Sequence, residues 1–169
     1  LLQVRDIFVF CCLTGLAFID VKNLTPVDIK RGVNGKKWLL TNRQKTGTQT
    51  HIPLFPHALT LIDRYKNHPE SVNNGTVFPV LSNQKMNAYL KEVAAVCGLD
   101  KYLTMHLARH TFATYTLTKG VPIETVAKLM GHKSLKTTQI YAKVIDSKIA
   151  ADIDAIIDDT PILSLKKVG

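Results

Sequence analysis

From Leu2 to Leu13 the chain is almost continuously apolar, which predicts a buried helix that closes in a turn at Thr14-Gly15. A second, short helix is expected to follow Asp20 and to end between Asn23 and Pro26. Val27–Val33 and Lys36–Thr41 flank Asn34-Gly35, a dipeptide that favours a two-residue hairpin turn. A further turn at Lys45-Thr46-Gly47 leads to a third strand, Thr50–Leu54. Beyond Pro56 the period becomes helical. Leu59, Ile62 and Lys66 share a face, and Pro69 and Asn73-Asn74-Gly75 break the run. A helix over Asn83–Cys97 is capped by Gly98, and one over Thr104–Thr118 carries Ala108, Phe112 and Tyr115 on one face and ends at Gly120. Pro122 opens another, with Ile123, Val126, Ala127 and Met130 at positions i, i+3, i+4 and i+7, closed by Gly131. Ser134 then caps a basic helix through Lys143. Ile149, Ile153, Ile156 and Ile157 form an apolar stripe on an otherwise acidic tail helix. The expected fold is mainly α with a small three-stranded antiparallel sheet (α+β), without internal repeats.

Length and composition narrow the class. The chain has 169 residues, about one domain, and 46% of them are apolar, which is enough for a core and excludes a disordered chain. The longest apolar stretch, Ile7–Ile19, is interrupted at Thr14-Gly15 and falls short of the roughly 20 residues a membrane span needs. Three cysteines, two of them adjacent (Cys11 and Cys12), make a poor disulfide framework, so buried thiols in a reducing cytoplasm are expected. The chain starts mid-pattern at Leu1, as a piece of a longer protein would. The net charge of +9 points to a polyanionic partner, nucleic acid or an anionic membrane surface. It is unevenly distributed: +5 over residues 1–100, +6 over 101–143 and −2 over 144–169.

That basic middle segment carries most of the candidate chemistry. His106 and Arg109 stand three apart on one helix face. His110, four from His106, has zinc-ligand spacing, but the motif lacks a glutamate beside its first histidine and no further ligand cluster follows, so no metal is expected. His132 lies on the turn after Gly131. Tyr141 stands among Lys133, Lys136 and Lys143, where positive neighbours would lower a phenol's pKa from ~10 and favour it as a nucleophile. Phosphodiester transesterification without metal needs a nucleophile, cations around the non-bridging oxygens and a proton donor for the leaving 5′ oxygen. Tyr141, Arg109, His106, His132 and Lys45 would supply that set.

The runs His106-Leu-Ala-Arg-His-Thr-Phe-Ala-Thr114, Leu129-Met-Gly-His132 and Thr137-Thr-Gln-Ile-Tyr141 resemble, in order and spacing, the signature of the tyrosine recombinases, or phage integrase family. Arg43-Gln-Lys-Thr-Gly47 is similar to the hairpin that carries the family's active-site lysine, and Thr14-Gly-Leu-x-x-x-Asp20 to its first box. The resemblance covers about residues 5–145 and implies a catalytic domain over 1–145. It assigns Tyr141 to attack the scissile phosphate, forming a 3′-phosphotyrosyl bond and releasing a 5′ hydroxyl. Arg109 and His132 would hold phosphate oxygens, His106 would accept the tyrosine proton or donate a further hydrogen bond, and Lys45 would protonate the leaving oxygen. No cofactor, ATP or metal is implied. The partners implied are double-stranded DNA and further copies of the chain, assembled as a tetrameric synapse that serves a mobile element, with no membrane involved. Arg43, Thr46, Lys133 and Lys136 are the expected DNA-backbone contacts. The tail, 146–169, would dock on a neighbouring protomer or on its own domain. The N-terminal DNA-binding domains usual in the family are not expected within this chain.

One position departs from the pattern. The family's first box places a phosphate-binding arginine where this chain has Ala17. Losing one such donor typically costs ~2.7–4 kcal/mol of transition-state stabilisation, so another cation substitutes or the reaction is slow. Arg5 and Lys22 are the nearby candidates, and Asp20 keeps the box's acidic position as a helix cap or buried acceptor. Two other readings remain open from the residues alone. A helix-turn-helix module without chemistry would use the segment after Gly120 with 134–143 as its recognition helix. A type IB topoisomerase would use the same phosphotyrosine chemistry without site specificity.

Overall fold

In a computed structural model the residues described are 1–33, 35–141, 146, 149–151 and 153–154. Helix α1 (Leu2–Thr14) runs through the middle of the domain, with Val4, Ile7, Phe10 and Cys11 buried. It packs against α3 (Pro56–Tyr65), α5 (Asn83–Val96) and α6 (Met105–Thr118). Between α1 and α3 lie the short α2 (Phe18–Lys22) and an antiparallel sheet in the order β1 (Ile29–Arg31), β2 (Lys37–Asn42), β3 (Gln49–Pro53). Register pairs Ile29 with Leu39 and Leu39 with Ile52. Alternation along β2 and β3 therefore turns Leu39 and Ile52 together into the core, where both are buried. Helix α7 (Ile123–Met130) packs on β3 and α6. Phe112, Ala113, Leu117, Val126, Met130 and Tyr141 form a second apolar cluster beside the main one. The mainly helical fold with a three-stranded sheet is as the sequence pattern predicts.

Several local expectations are corrected. Asp20 lies inside α2, in its first turn, and does not precede it. The first strand keeps only Ile29–Arg31, because Pro26–Asp28 forms a 3-10 turn in which Asp28 Oδ2 accepts from both the backbone N–H and the hydroxyl of Thr25 (2.9 and 2.7 Å). The hairpin loop is longer than two residues: the Gly32 N–H bonds to the Lys36 carbonyl, and Asn34 is outside the described residues. Pro69 opens a short helix, α4 (Pro69–Asn74), as proline at a first helical position can. On α3 the buried face is Ala58, Leu61 and Tyr65, one position away from Leu59 and Ile62. Tyr115 is 49% exposed, and Ala113 and Thr116 take its place inside. After Ser134 two 3-10 turns, Leu135–Thr137 and Gln139–Tyr141, replace the expected basic helix. Of the isoleucine stripe, Ile149 and Ile153 are exposed, while Ile156, Ile157 and Lys143 lie outside the described residues.

Candidate active site

The site grows from the end of α1. Gly15 takes a left-handed conformation (φ +66°) that turns the chain into α2, and a Cβ there would lie 2.4 Å from the Phe112 ring. Its carbonyl accepts two guanidinium hydrogen bonds, from Arg109 Nη1 at 2.5 Å and from Arg43 Nη2 at 2.9 Å. Arg109 Nη2 donates to the Met130 carbonyl at 2.6 Å, so this α6 side chain ties the end of α1 to the end of α7. Burial, reinforced by the charge of Arg43, pulls the Arg109 pKa down to about 10, and the guanidinium remains charged at neutral pH.

His132 follows the α7 cap Gly131, and its Nδ1 is 2.8 Å from the Thr138 hydroxyl. Burial first, and then the charges of Arg109 and Arg43, lower its pKa to about 4, so the imidazole is neutral at pH 7. Tyr141 ends the second 3-10 turn with its side chain buried. Its hydroxyl is 2.7 Å from His110 Nδ1, and the His106 and His110 rings meet edge to face with centroids 4.4 Å apart. Burial raises the Tyr141 pKa above its ordinary value against the opposing charge of Arg109. This corrects the expectation of a phenol acidified by its cationic surroundings, since the loss of solvation outweighs the attraction. His110 is shifted down, by burial and then by His106 and Arg109.

The hairpin between β2 and β3 is tied to α2 and to the turn before His132. Gln44 N–H donates to Asp20 Oδ1 (3.0 Å), and the Thr46 hydroxyl reaches the Gly131 carbonyl at 3.4 Å. Lys45, between those two anchors, is exposed, as are Lys133 and Lys136. Arg43, expected as a DNA-backbone contact, does not lie on the open surface. It is 4% exposed, with Nη1 2.5 Å from Asp20 Oδ2. Asp20 is thus a buried ion-pair partner as well as an acceptor for the hairpin. Of the two candidates for the missing first-box arginine, Arg5 binds the Asp6 carboxylate, which also takes Arg64 and Tyr65 and so joins α1 to α3, and Lys22 is exposed at the end of α2. Among the described residues no three His, Cys, Asp or Glu side chains group as metal ligands, and no helix is long and apolar enough to cross a membrane.

Arg109, His132 and Tyr141 are therefore brought together, with Thr46 linked through Gly131, His106 standing behind His110 and Lys45 at the hairpin tip. The residue missed by sequence reasoning is His110. Its spacing from His106 was visible but pointed to zinc, whereas the useful signal was its place beside Arg109 on the face that meets Tyr141.

A small helical domain that gathers a tyrosine, guanidinium groups and imidazoles in one cluster, with a lysine on an adjoining hairpin, has the make-up of a site for phosphodiester chemistry. The chain belongs to the phage integrase family, whose profile matches residues 3–148. It is 31% identical over 147 residues to tyrosine recombinase XerD of Pseudomonas putida, and 29% identical over 140 residues to tyrosine recombinase XerC of Chlamydia caviae. These alignments cover 80% and 78% of this chain but 47% and 44% of those proteins, so the chain spans about half the length of the curated relatives it matches. Among solved structures, XerH recombinase bound to its difH substrate after cleavage superimposes with a TM-score of 0.69 at 21% identity, over 89% of this chain and 45% of that one. A λ integrase dimer on a core site gives 0.63 at 19% identity, over 99% and 56%. The fold is that of tyrosine recombinase catalytic domains.

Proposed function

We propose that this chain is the catalytic domain of a site-specific DNA recombinase or integrase, acting on double-stranded DNA through a 3′-phosphotyrosyl intermediate. The observation that carries the reading is the Tyr141 hydroxyl held 2.7 Å from His110, on the helix whose Arg109 is hydrogen-bonded to the backbone just before His132. The Tyr141 oxygen attacks the scissile phosphorus and the bond to the 5′ oxygen breaks. The phenol proton leaves along its hydrogen bond to the neutral His110, Lys45 gives a proton to the departing oxygen, and Arg109 and His132 hold the non-bridging oxygens with His106 as a further donor. Attack by a second 5′ hydroxyl reverses these steps and rejoins the strand. Because the bond energy is kept in the phosphotyrosine, neither ATP nor metal enters the scheme. Thr46, Lys133 and Lys136 are the proposed backbone contacts, and binding that rests on them weakens steeply with salt.

The proposal extends to a tetrameric synapse in the service of a mobile element. An apolar groove of about 1060 Å³ lined by Trp38, Leu54, Phe55 and Leu129 together with Lys37 and Lys128 suits the tail, whose sequence from 146 is acidic and isoleucine-striped. The helix-turn-helix alternative is disfavoured because 135–141 form 3-10 turns and not a recognition helix. The test is covalent capture on a nicked duplex that loses the fragment bearing the 5′ hydroxyl. A slow-migrating DNA–protein band in a denaturing gel, absent with Tyr141→Phe, is expected. A band that survives the substitution, or bound DNA with no band, refutes the reading. Relaxation of supercoils irrespective of sequence would reassign the same chemistry to a topoisomerase.

A further inference from the structure

Resting on the recombinase reading, the site has a charge deficit that the structure itself answers. The transition state of phosphoryl transfer to a phenol places negative charge on two non-bridging oxygens. His132 is neutral at pH 7, Ala17 offers no polar group, and Arg5 is engaged with Asp6 near the start of α1, where Asp6 also binds Arg64 of α3, whereas the site lies at the other end of that helix. Two guanidinium groups nevertheless meet at one backbone oxygen, because Arg43 and Arg109 both donate to the Gly15 carbonyl. Arg43 arrives from the β2–β3 hairpin and is anchored by Asp20, three residues beyond Ala17 and on the same short helix turn. Its side chain also lies against the turn that carries His132, since a Cβ at Gly131 would be 2.6 Å from Arg43 Cγ and 3.1 Å from its Nε. That Nε is buried and has no hydrogen-bond partner. A buried charged donor without an acceptor is unfavourable, and an anionic oxygen seated beside Arg109 is the acceptor that would satisfy it.

We propose that Arg43 is the second cation of the phosphate site, meeting a non-bridging oxygen opposite Arg109 and supplying from the hairpin the charge that position 17 lacks. Lys45, two residues on, is then held in register with the phosphate by the same hairpin, and Asp20 fixes the orientation of the guanidinium without touching the substrate.

The experiment measures the rate of Tyr141 adduct formation on the nicked duplex, in parallel with a duplex whose scissile phosphate is replaced by a methylphosphonate, which lacks one non-bridging charge. Arg43→Ala is expected to slow cleavage of the ordinary phosphate about 10²–10³-fold. On the methylphosphonate the gap between parent and variant is expected to shrink below about tenfold, and Ala17→Arg added to Arg43→Ala is expected to recover at least tenfold. Because Arg43→Ala leaves Asp20 buried and unpaired, Arg43→Met with Asp20→Asn is run alongside as a neutral pair of similar volume, with the same expectations. Variant rates within threefold of the parent, or an equal defect on both substrates, overturn the assignment, since a merely structural arginine has no reason to sense the charge of the phosphate. Should the parent itself form no Tyr141-dependent adduct, the recombinase reading falls and takes this inference with it. A parent that cleaves normally beside unaffected Arg43 variants removes the inference alone.

Discussion

Replacing Gly15 by alanine tests whether the end of α1 is the keystone of both the packing and the site. Two costs are separable there. A non-glycine residue at φ +66° pays about 1–2 kcal/mol for the left-handed conformation. The added methyl would also lie 2.4 Å from Phe112 Cδ1, in a ring only 2% exposed and so unable to swing into solvent, and such overpacking typically costs about 1–3 kcal/mol. The sum is about 2–5 kcal/mol, or roughly 4–20 °C in midpoint for a chain of this length. Gly75→Ala is the internal control. It has the same φ of +66° and nothing within 4 Å of its built Cβ, so it should show only the conformational cost of about 1–2 kcal/mol. Urea unfolding of the two variants measures the difference. Displacing the Gly15 carbonyl also unseats Arg109 and Arg43 together, and the adduct rate of Gly15→Ala measured well below its midpoint should fall at least tenfold, because small misplacements at a reacting centre are expensive. Equal stabilities for the two variants would refute the clash. A destabilised Gly15→Ala with undiminished cleavage would refute the role of the carbonyl.

Acid stability follows from His132. Its folded pKa of about 4 lies below the ordinary 6.5, so the unfolded chain binds the proton more readily, and stability present above pH 6.5 is lost as the pH falls toward 4. His132→Gln should flatten that part of the stability profile, and an unchanged slope would show that the imidazole is not held neutral. Thiol chemistry gives a further check. Burial pushes the Cys11 thiol far above its ordinary range and Cys12 up to about 11, while Cys97 is exposed. Alkylation of the native protein at pH 8 should therefore modify Cys97 alone, as read by intact mass, with the other two reacting only in denaturant.

Much of the fold is legible because single residues carry its punctuation. Gly131 and Pro122 bound α7, Ser82 and Thr104 cap α5 and α6 by accepting backbone N–H groups, and the apolar run of α1 admits no alternative to burial. The errors fall where tertiary contacts override local pattern. Periodicity alone cannot distinguish Leu59 and Ile62 from Leu61 and Tyr65 on α3, since the choice is made by Asp6 and Phe78, which receive Tyr65. The basic run after Ser134 carries a helical charge pattern, but Thr138 and Tyr141 are drawn inward, one to His132 and the other to His110, and the backbone tightens into 3-10 turns to deliver them. The site shows the same division. Motif spacing identifies which side chains lie near one another in the site, but the two acceptors that hold Arg109 are backbone carbonyls and leave no trace in residue type. Arg43 reads as one more surface cation until its burial against Asp20 is seen.

The electrostatics of the site also impose an order on the proposed reaction. In the protein alone the nucleophile is kept protonated, since burial raises the Tyr141 pKa and the imidazole beside it is shifted downward and holds a proton weakly. An approaching phosphodiester would worsen this, because a second negative charge opposes formation of phenolate. Ionisation becomes favourable only when that charge is already met by guanidinium groups. Arg109 is suited to the task because its two hydrogen bonds are to neutral carbonyls and leave its charge uncompensated, whereas Arg43 is held ready against a carboxylate. The phosphate must therefore be seated before Tyr141 can act, so that activation of the nucleophile is coupled to docking of the DNA through charge alone. A consequence is that raising the pH should not substitute for Arg109. In Arg109→Ala the phenolate formed at pH 10 would face an unneutralised phosphate, and its adduct rate should stay at least 10²-fold below that of the parent at that pH. Recovery of the rate at high pH would mean that ionisation of Tyr141, and not neutralisation of the phosphate, is what the arginine supplies.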